Sequence, residues 1–296
     1  MTLSISAVER DTGLSKDTLR MWERRYGFPI PDRDVNGERV YPLQQVEKLQ
    51  LIKRLMDRGH RPGKIIGRGI DDLAALDRNL RSDSAPADDV RAMIDLVRTH
   101  QLPELRRQLF QLLMRDGLKD FVLETVSALN DAVGRAWMCG DMAVFEEHLY
   151  TELVQTVLRN AIAAMPQQAR RPRMLLTTFP NESHGIGLLM VEALLTLEGV
   201  TCIPLGVETP LPQIARAAQA HDADVVALSF STNFNEKHAS AGLRDLRSLL
   251  DGDIEIWAGG RGLARARKGI DGVRIVVDLT AMEDVVARWR KHNTTL

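Results

Sequence analysis

Residues 181–187 read "NESHGIG", between the apolar run "RMLLTTF" and a helix-like stretch beginning "LLMVEALLTLEG". The residues that can do chemistry here are Glu182, His184 two positions later, and then Gly185 and Gly187. A loop that cradles phosphate at this point would carry Gly-x-Gly-x-x-Gly, so that bare amides approach a pyrophosphate at the helix N-terminus. Here an acid and an imidazole precede only two glycines, which argues against a nicotinamide cofactor. A neutral imidazole oriented by a carboxylate suits a ligand that accepts a nitrogen donor. By itself, one histidine in one loop is read as an ordinary surface or hydrogen-bonded residue. A second cluster lies in "AWMCGDMAVFEEHLY", where Trp137 is followed, after nine residues, by Glu147 and His148. Taken alone, this is a core aromatic and a surface pair.

The elements that must position these groups follow from periodicity. Strand-like runs "RMLLTTF", "VTCIPLG", "DVVALSF", "IEIWAGG" and "VRIVV" alternate with helical stretches at 184–198, 211–221, 236–251 and 261–268, and a last helix starts near 280. Such alternation predicts a doubly wound parallel sheet over 172–296, of Rossmann-like or flavodoxin-like type, with ligands at the carboxyl ends of its strands. The loop at 181–187 lies at one of those ends. Segments near 88–100, 103–115, 119–138 and 143–164 carry apolar residues at helical spacing, punctuated by Pro103, Gly117 and Gly140, and predict a four-helix bundle over 88–166. The stretch "SDSAPADD" reads as part of a linker placed at 76–87.

The first 75 residues form a different kind of module. Residues 1–68 hold 14 Lys and Arg against 9 Asp and Glu, a net of +5, and the remainder carries −6. That asymmetry suits a phosphate-backbone binder joined to an acidic body. Ser4 is placed to cap a helix running to Thr12, Gly13 to turn the chain, and Ser15 to cap a second helix ending near Tyr26. This is helix-turn-helix spacing. On the second helix Leu19, Trp22 and Tyr26 share one face, and Arg20, Arg24 and Arg25 cluster away from it. The following "GFPIPDRDVNGERVY" predicts a two-stranded wing presenting Arg33 and Arg39.

This stretch resembles the MerR family of winged helix-turn-helix regulators over about 70 residues, through Thr18, Leu19, Arg20, Trp22, Glu23, Arg24, Arg25, Tyr26 and Gly27, with Arg39 and Tyr41 in the wing. The resemblance implies a DNA-binding set of Ser15, Thr18, Arg20, Arg24, Arg25, Tyr26, Arg33, Arg39 and Tyr41. It also implies a recognition helix in the major groove and a homo-oligomer, dimer or tetramer, on a double-stranded DNA operator.

Downstream, Glu182-x-His184-x-x-Gly187 is followed after 41 residues by Ser229-x-Ser231, and after 27 more by Gly259-Gly260. This order and spacing resemble the cobalamin-binding domains. The Trp137, nine-residue gap and Glu147-His148 resemble the bundle of the CarH/LitR group of light-responsive MerR regulators. By that resemblance His184 is the lower axial cobalt ligand and Glu182 its orienting partner. Gly185, Gly187, Gly259 and Gly260 leave room for the displaced cofactor tail, Ser229 bonds its base, and Trp137, Glu147 and His148 cap the upper, adenosyl face of adenosylcobalamin. Two positions depart from the pattern. Ser231 stands where those domains carry leucine, and Met138 where the group carries a histidine able to take the vacated cobalt site. Water, His148 or another chromophore are the alternatives at that upper face.

The remaining numbers narrow the class. The chain has 296 residues, 44% of them hydrophobic, and only Cys139 and Cys202 as cysteines. With no apolar run near the roughly 18 residues of a membrane span and no signal peptide, a soluble, cytoplasmic protein is expected. Cobalamin enzymes commonly stack a barrel of about 250 residues over the corrin, and no such stretch stands between linker and sheet. Regulation without enzymatic activity is therefore expected, and the resemblance to the light-responsive group implies a repressor controlled by light-cleavable adenosylcobalamin. The alternative is a regulator of the same fold controlled by a protein partner or a different chromophore.

Overall fold

The computed structural model describes residues 2–35, 37–57, 60–79, 88–166, 170–263, 269–276 and 278–293. They group into two compact units, one of Met1–Arg91 with Asp131–Val144 and one of Ala92–Asn130 with Phe145–Leu296. No helix among the described residues is long and apolar enough to cross a membrane.

The chain opens with β1 (Thr2–Ser4), α1 (Ile5–Thr12) and α2 (Lys16–Tyr26), then the hairpin strands β2 (Asp32–Arg33) and β3 (Arg39–Pro42). Three helices follow, α3 (Leu43–Asp57), α4 (Pro62–Ile65) and α5 (Ile70–Asn79). Local hydrogen bonds set the helix-turn-helix. The Ser4 side chain accepts from the Ala7 amide, Gly13 turns the chain in a left-handed conformation at φ 67°, Ser15 accepts from the Thr18 amide, and Gly27 ends α2 at φ 67°. Leu19 and Trp22 bury the inner face of α2 against Val8, Leu49, Ile52 and Leu55. Each fully buried aliphatic or aromatic side chain there contributes about 1.5–3 kcal/mol. The wing has three strands where two were expected, because β1 also pairs with β3, giving the order β1-β3-β2. Residues 76–79 of the expected linker are the end of α5, 88 and 89 begin the next helix, and 80–87 lie outside the described residues.

The bundle region holds α6 (Asp88–Arg98), α7 (Leu102–Asp120), a π-helical turn at Phe121–Val126, α8 (Ser127–Met138) and α9 (Val144–Ala163). Gly117, expected to separate two helices, breaks the helical backbone inside α7 at φ 76°, ψ 165°. The segment after it, with Leu118, Phe121, Val122 and Val126 buried, packs on the α/β region.

That region runs β4 (Arg170–Thr177), α10 (Ile186–Leu197), β5 (Val200–Gly206), α11 (Leu211–Ala220), β6 (Val225–Ser229), α12 (Glu236–Leu249), β7 (Glu255–Gly259), β8 (Val273–Val276) and α13 (Met282–Asn293). Of the expected helix at 261–268, residues 261–263 form a 3-10 turn and 264–268 lie outside the described residues. All five strands are parallel, in the order β5-β4-β6-β7-β8. Met174, Leu175 and Leu176 of β4 are all fully buried, because helices cover both faces of a parallel sheet and leave no wet side to alternate with. This is the flavodoxin-like order, and its direction reverses between β4 and β6. The loops after those two strands therefore diverge and open a crevice.

Candidate corrinoid site and DNA-reading face

The β4–α10 loop holds its own shape. Asn181 adopts φ 67°, the Glu182 amide donates to the Phe179 carbonyl at 3.0 Å, and the buried Thr178 hydroxyl accepts from the Glu208 amide at 2.8 Å. Thr178 also donates to the Glu182 carbonyl. Glu182 itself is 1% exposed. One carboxylate oxygen accepts from the His184 amide at 3.1 Å and lies 2.6 Å from His184 Nδ1. The other accepts from the Ser231 amide at 2.7 Å. A single buried acid thus ties together the two loops that flank the reversal of strand order.

The electrostatics follow from that geometry. The hydrogen bond to Glu182 raises the pKa of His184 above its ordinary 6.5; burial opposes this, and the charges of Glu182 and, more weakly, Glu147 add to it. Burial pushes the Glu182 carboxyl upward, but the His184 bond and charge and the Ser231 bonds outweigh it and leave the group below 4.5. The His184 side chain is 52% exposed. With Nδ1 committed to Glu182, its Nε2 is the nitrogen that carries a lone pair in the neutral ring, which is the donor that cobalt accepts. On this chemistry the residues fit a corrinoid.

The other motif residues have specific neighbours. A Cβ on Gly187 would stand 3.0 Å from the Ser229 hydroxyl, and one on Gly185 3.2 Å from Val207, an apolar side chain 40% exposed at the rim. Gly259 and Gly260 also have a structural reason to be glycine, beside the room expected for a cofactor tail. A Cβ on the first would overlap the Val276 carbonyl, and on the second the Phe230 carbonyl. They are glycines because the backbones of neighbouring strand ends meet there. Ser231, the departure from leucine, supplies the amide that holds Glu182, and its hydroxyl accepts from the Asn233 amide at 3.3 Å. Of the capping residues, Glu147 and His148 lie in the first turns of α9, with His148 Nε2 3.7 Å from Glu147 Oε2 and the His148 side chain 70% exposed. The charge of Glu147 reaches His184. Trp137, half-buried in α8, belongs to the other compact unit, and the Met138 side chain lies outside the described residues. Neither Thr178 nor Val207 carries a motif signal in the sequence.

On the N-terminal module Arg20, Arg24 and Arg25 are exposed on α2, and Arg33 is exposed at the wing, its guanidinium donating to the Gly37 carbonyl at 2.6 Å. Ser15 and Thr18 spend hydroxyl capacity on each other at 2.8 Å and on the cap. Tyr26 packs edge-on against Trp22 with Arg25 over its ring. Two wing assignments change. Tyr41 is 0% exposed within the module's core, where it cannot touch DNA, and burial raises the pKa of its hydroxyl. Arg39 Nε donates to the Glu23 carboxylate at 3.2 Å, fastening the wing to α2.

Comparison with known proteins agrees with both halves. A family model for MerR HTH family regulatory proteins matches residues 3–67, and models for B12 binding domains match 172–293 and 90–161. The HTH-type transcriptional repressor CarH of Myxococcus xanthus is 29% identical over 267 residues, 88% of this chain and 89% of that protein. The HTH-type transcriptional repressor CarA of the same organism is 30% identical over 241 residues, 78% of this chain and 77% of that protein. In fold, a Methanosarcina barkeri monomethylamine corrinoid protein superposes with a TM-score of 0.54 at 14% identity, covering 67% of this chain and 96% of that one. With this architecture and these relatives, the chain belongs to the MerR-type, cobalamin-binding transcriptional regulators that include CarH and CarA.

Proposed function

We propose that this regulator is a light-controlled repressor. Assembled on operator DNA in the dark with adenosylcobalamin, it is released from DNA on illumination. The observation that carries the corrinoid part is the Glu182–His184 pair, a buried carboxylate holding Nδ1 so that Nε2 is the free donor at the open edge of the sheet. In this reading His184 would hold the cobalt of a bound corrinoid through Nε2. Glu182 orients the ring, Ser229 and Gly187 line the path of the tail, and Val207 offers an apolar rim to the macrocycle. Glu147 and His148, at the start of α9, would contact the cofactor's upper ligand. A bound alkylcobalamin supplies a cobalt–carbon bond that visible light cleaves. The protein's part is to differ in assembly between the two states, because a ligand regulates only through unequal affinity for two conformations. On the DNA side Ser15, Thr18, Arg20, Arg24, Arg25, Tyr26 and Arg33 contact phosphate or base edges, and Arg39 and Tyr41 hold the wing. As domains we propose 1–75, a linker at 76–87, 88–166 and 172–296, in a cytoplasmic homo-oligomer, dimer or tetramer.

Met138 supports a second reading of the signal, in which the fold is the same but a protein partner or another chromophore sets its state. One experiment separates the two. Full-length protein is loaded with adenosylcobalamin in darkness and followed by visible spectroscopy, size-exclusion chromatography and a DNA gel shift before and after illumination. The proposal expects stoichiometric corrinoid, loss of imidazole ligation in His184→Ala, and a change of both size and DNA affinity with light. Bound corrinoid with identical size and affinity in dark and light would overturn the photochemical reading and leave the second.

A further inference from the structure

Resting on the reading of α2 as the element that enters DNA, we infer that Asp17 determines sequence specificity, and that with Arg20 it reads a cytosine–guanine pair in the major groove. Leu19, Trp22 and Tyr26 mark the docked face of α2, and Asp17, Arg20, Met21 and Arg24 occupy the opposite one, at i, i+3, i+4 and i+7. Asp17 lies on the midline of that outward face with its side chain 93% exposed, and its Oδ1 is 3.3 Å from Arg20 Nη1.

The module's other acids near α2 have structural partners. Glu9 approaches Lys16 at 3.7 Å and accepts from its amide, and Glu23 fastens Arg39. Asp17 instead pairs within its own helix, with Arg20, and an exposed i,i+3 ion pair contributes at most about 1 kcal/mol to a fold. A carboxylate on an otherwise cationic, DNA-facing surface is repelled by phosphate. It is favoured only where it meets a donor, and in the major groove that donor is an exocyclic amine. Cytosine presents its N4 amine, and its partner guanine presents O6 and N7 as acceptors. An acceptor and a guanidinium held side by side complement that pattern.

The test uses the full-length chain and a randomised DNA duplex library. Wild type is expected to enrich a motif with a fixed C·G pair in each half-site. Asp17→Ala and Asp17→Asn should lose about tenfold of the preference at that pair while keeping the rest of the motif. Arg20→Ala should relax the same pair. If Asp17→Ala enriches the wild-type motif unchanged, or binds all duplexes more tightly by one common factor, the inference is overturned while DNA binding stands. A wild-type chain that enriches no sequence overturns the DNA reading and the inference together. A helix-stabilising role for Asp17 would change thermal stability and leave base preference unmoved.

Discussion

Glu182 bears a charge in a place where a lone carboxylate would cost several kcal/mol, and three donors from two loops offset that cost. The pair it makes with His184 has a definite pH signature in the apoprotein. The raised pKa of His184 means that its share of stability is fully present below 6.5, the unfolded value, and is lost as pH rises through the folded one. The lowered pKa of Glu182 means that its share is present above 4.5 and is lost as pH falls through its folded value. The two plateaus overlap between 4.5 and 6.5. Melting temperature measured against pH should be most favoured there. Glu182→Gln should flatten that profile, and the His184 ring, followed by NMR titration, should move back toward 6.5. A His184 titration unchanged by the substitution would show that the pair does not form in solution. Removing Glu182 should also weaken corrinoid retention, by about the 10–100-fold typical of a partner that orients a metal ligand.

At the scale of elements, strand ends dictate residue identity. Gly259 closes β7 where its Cβ would overlap the Val276 carbonyl, and Gly260, at φ 94°, lies against the Phe230 carbonyl. Backbone cannot move aside as a flexible side chain can, so Gly259→Ala and Gly260→Ala should each destabilise by about 1–3 kcal/mol or more. Gly206 is the control. Its φ is 82° but nothing lies within 4 Å of the point a Cβ would occupy, so alanine there should cost only the conformational strain, about 1–2 kcal/mol. Denaturant unfolding of the three variants ranks them, and equal losses at all three would refute the overlap. In the N-terminal module the wing depends on a similar local device. Gln45 accepts from the Ile30 amide at 2.7 Å and donates to its carbonyl at 2.8 Å, pinning the chain between α2 and the wing. Gln45→Ala should cost about 1 kcal/mol of stability and lower operator affinity without removing any group that faces DNA. An unchanged gel shift would release the wing from that role.

For the whole molecule, charge is divided by job. The +5 of residues 1–68 faces a polyanion, and the −6 of the remainder discourages nonspecific association with it. Affinity for operator should therefore fall steeply with salt, each phosphate contact adding about −0.9 to the slope of log K against log salt. Arg24→Ala and Arg33→Ala should each reduce that slope by about 1. Corrinoid occupancy, read from the visible spectrum across the same salt series, should stay constant. A slope untouched by both arginine substitutions would move the DNA face elsewhere on the module.

Short-range physics accounts for what is legible in the chain alone. Ser4, Gly13, Ser15 and Gly27 specify two helices and their turn through hydrogen bonds three or four residues long, and these can be read without knowing anything else about the chain. The alternation of apolar runs and helices led to the parallel sheet, because covered strands need no polar face. The motif spacing located Glu182 and His184. Tertiary structure decided the rest, since those contacts join residues distant in the chain. Strand order brings the Ser231 amide to Glu182 across 49 positions, β1 joins the wing across 38, and Glu23 meets Arg39 across 16. It also buried Tyr41, in a core cluster drawn from α1, α2, α3 and the elements around them. A sequence pattern records which side chain is present, but only the packed chain decides whether that side chain meets solvent, backbone or a partner loop.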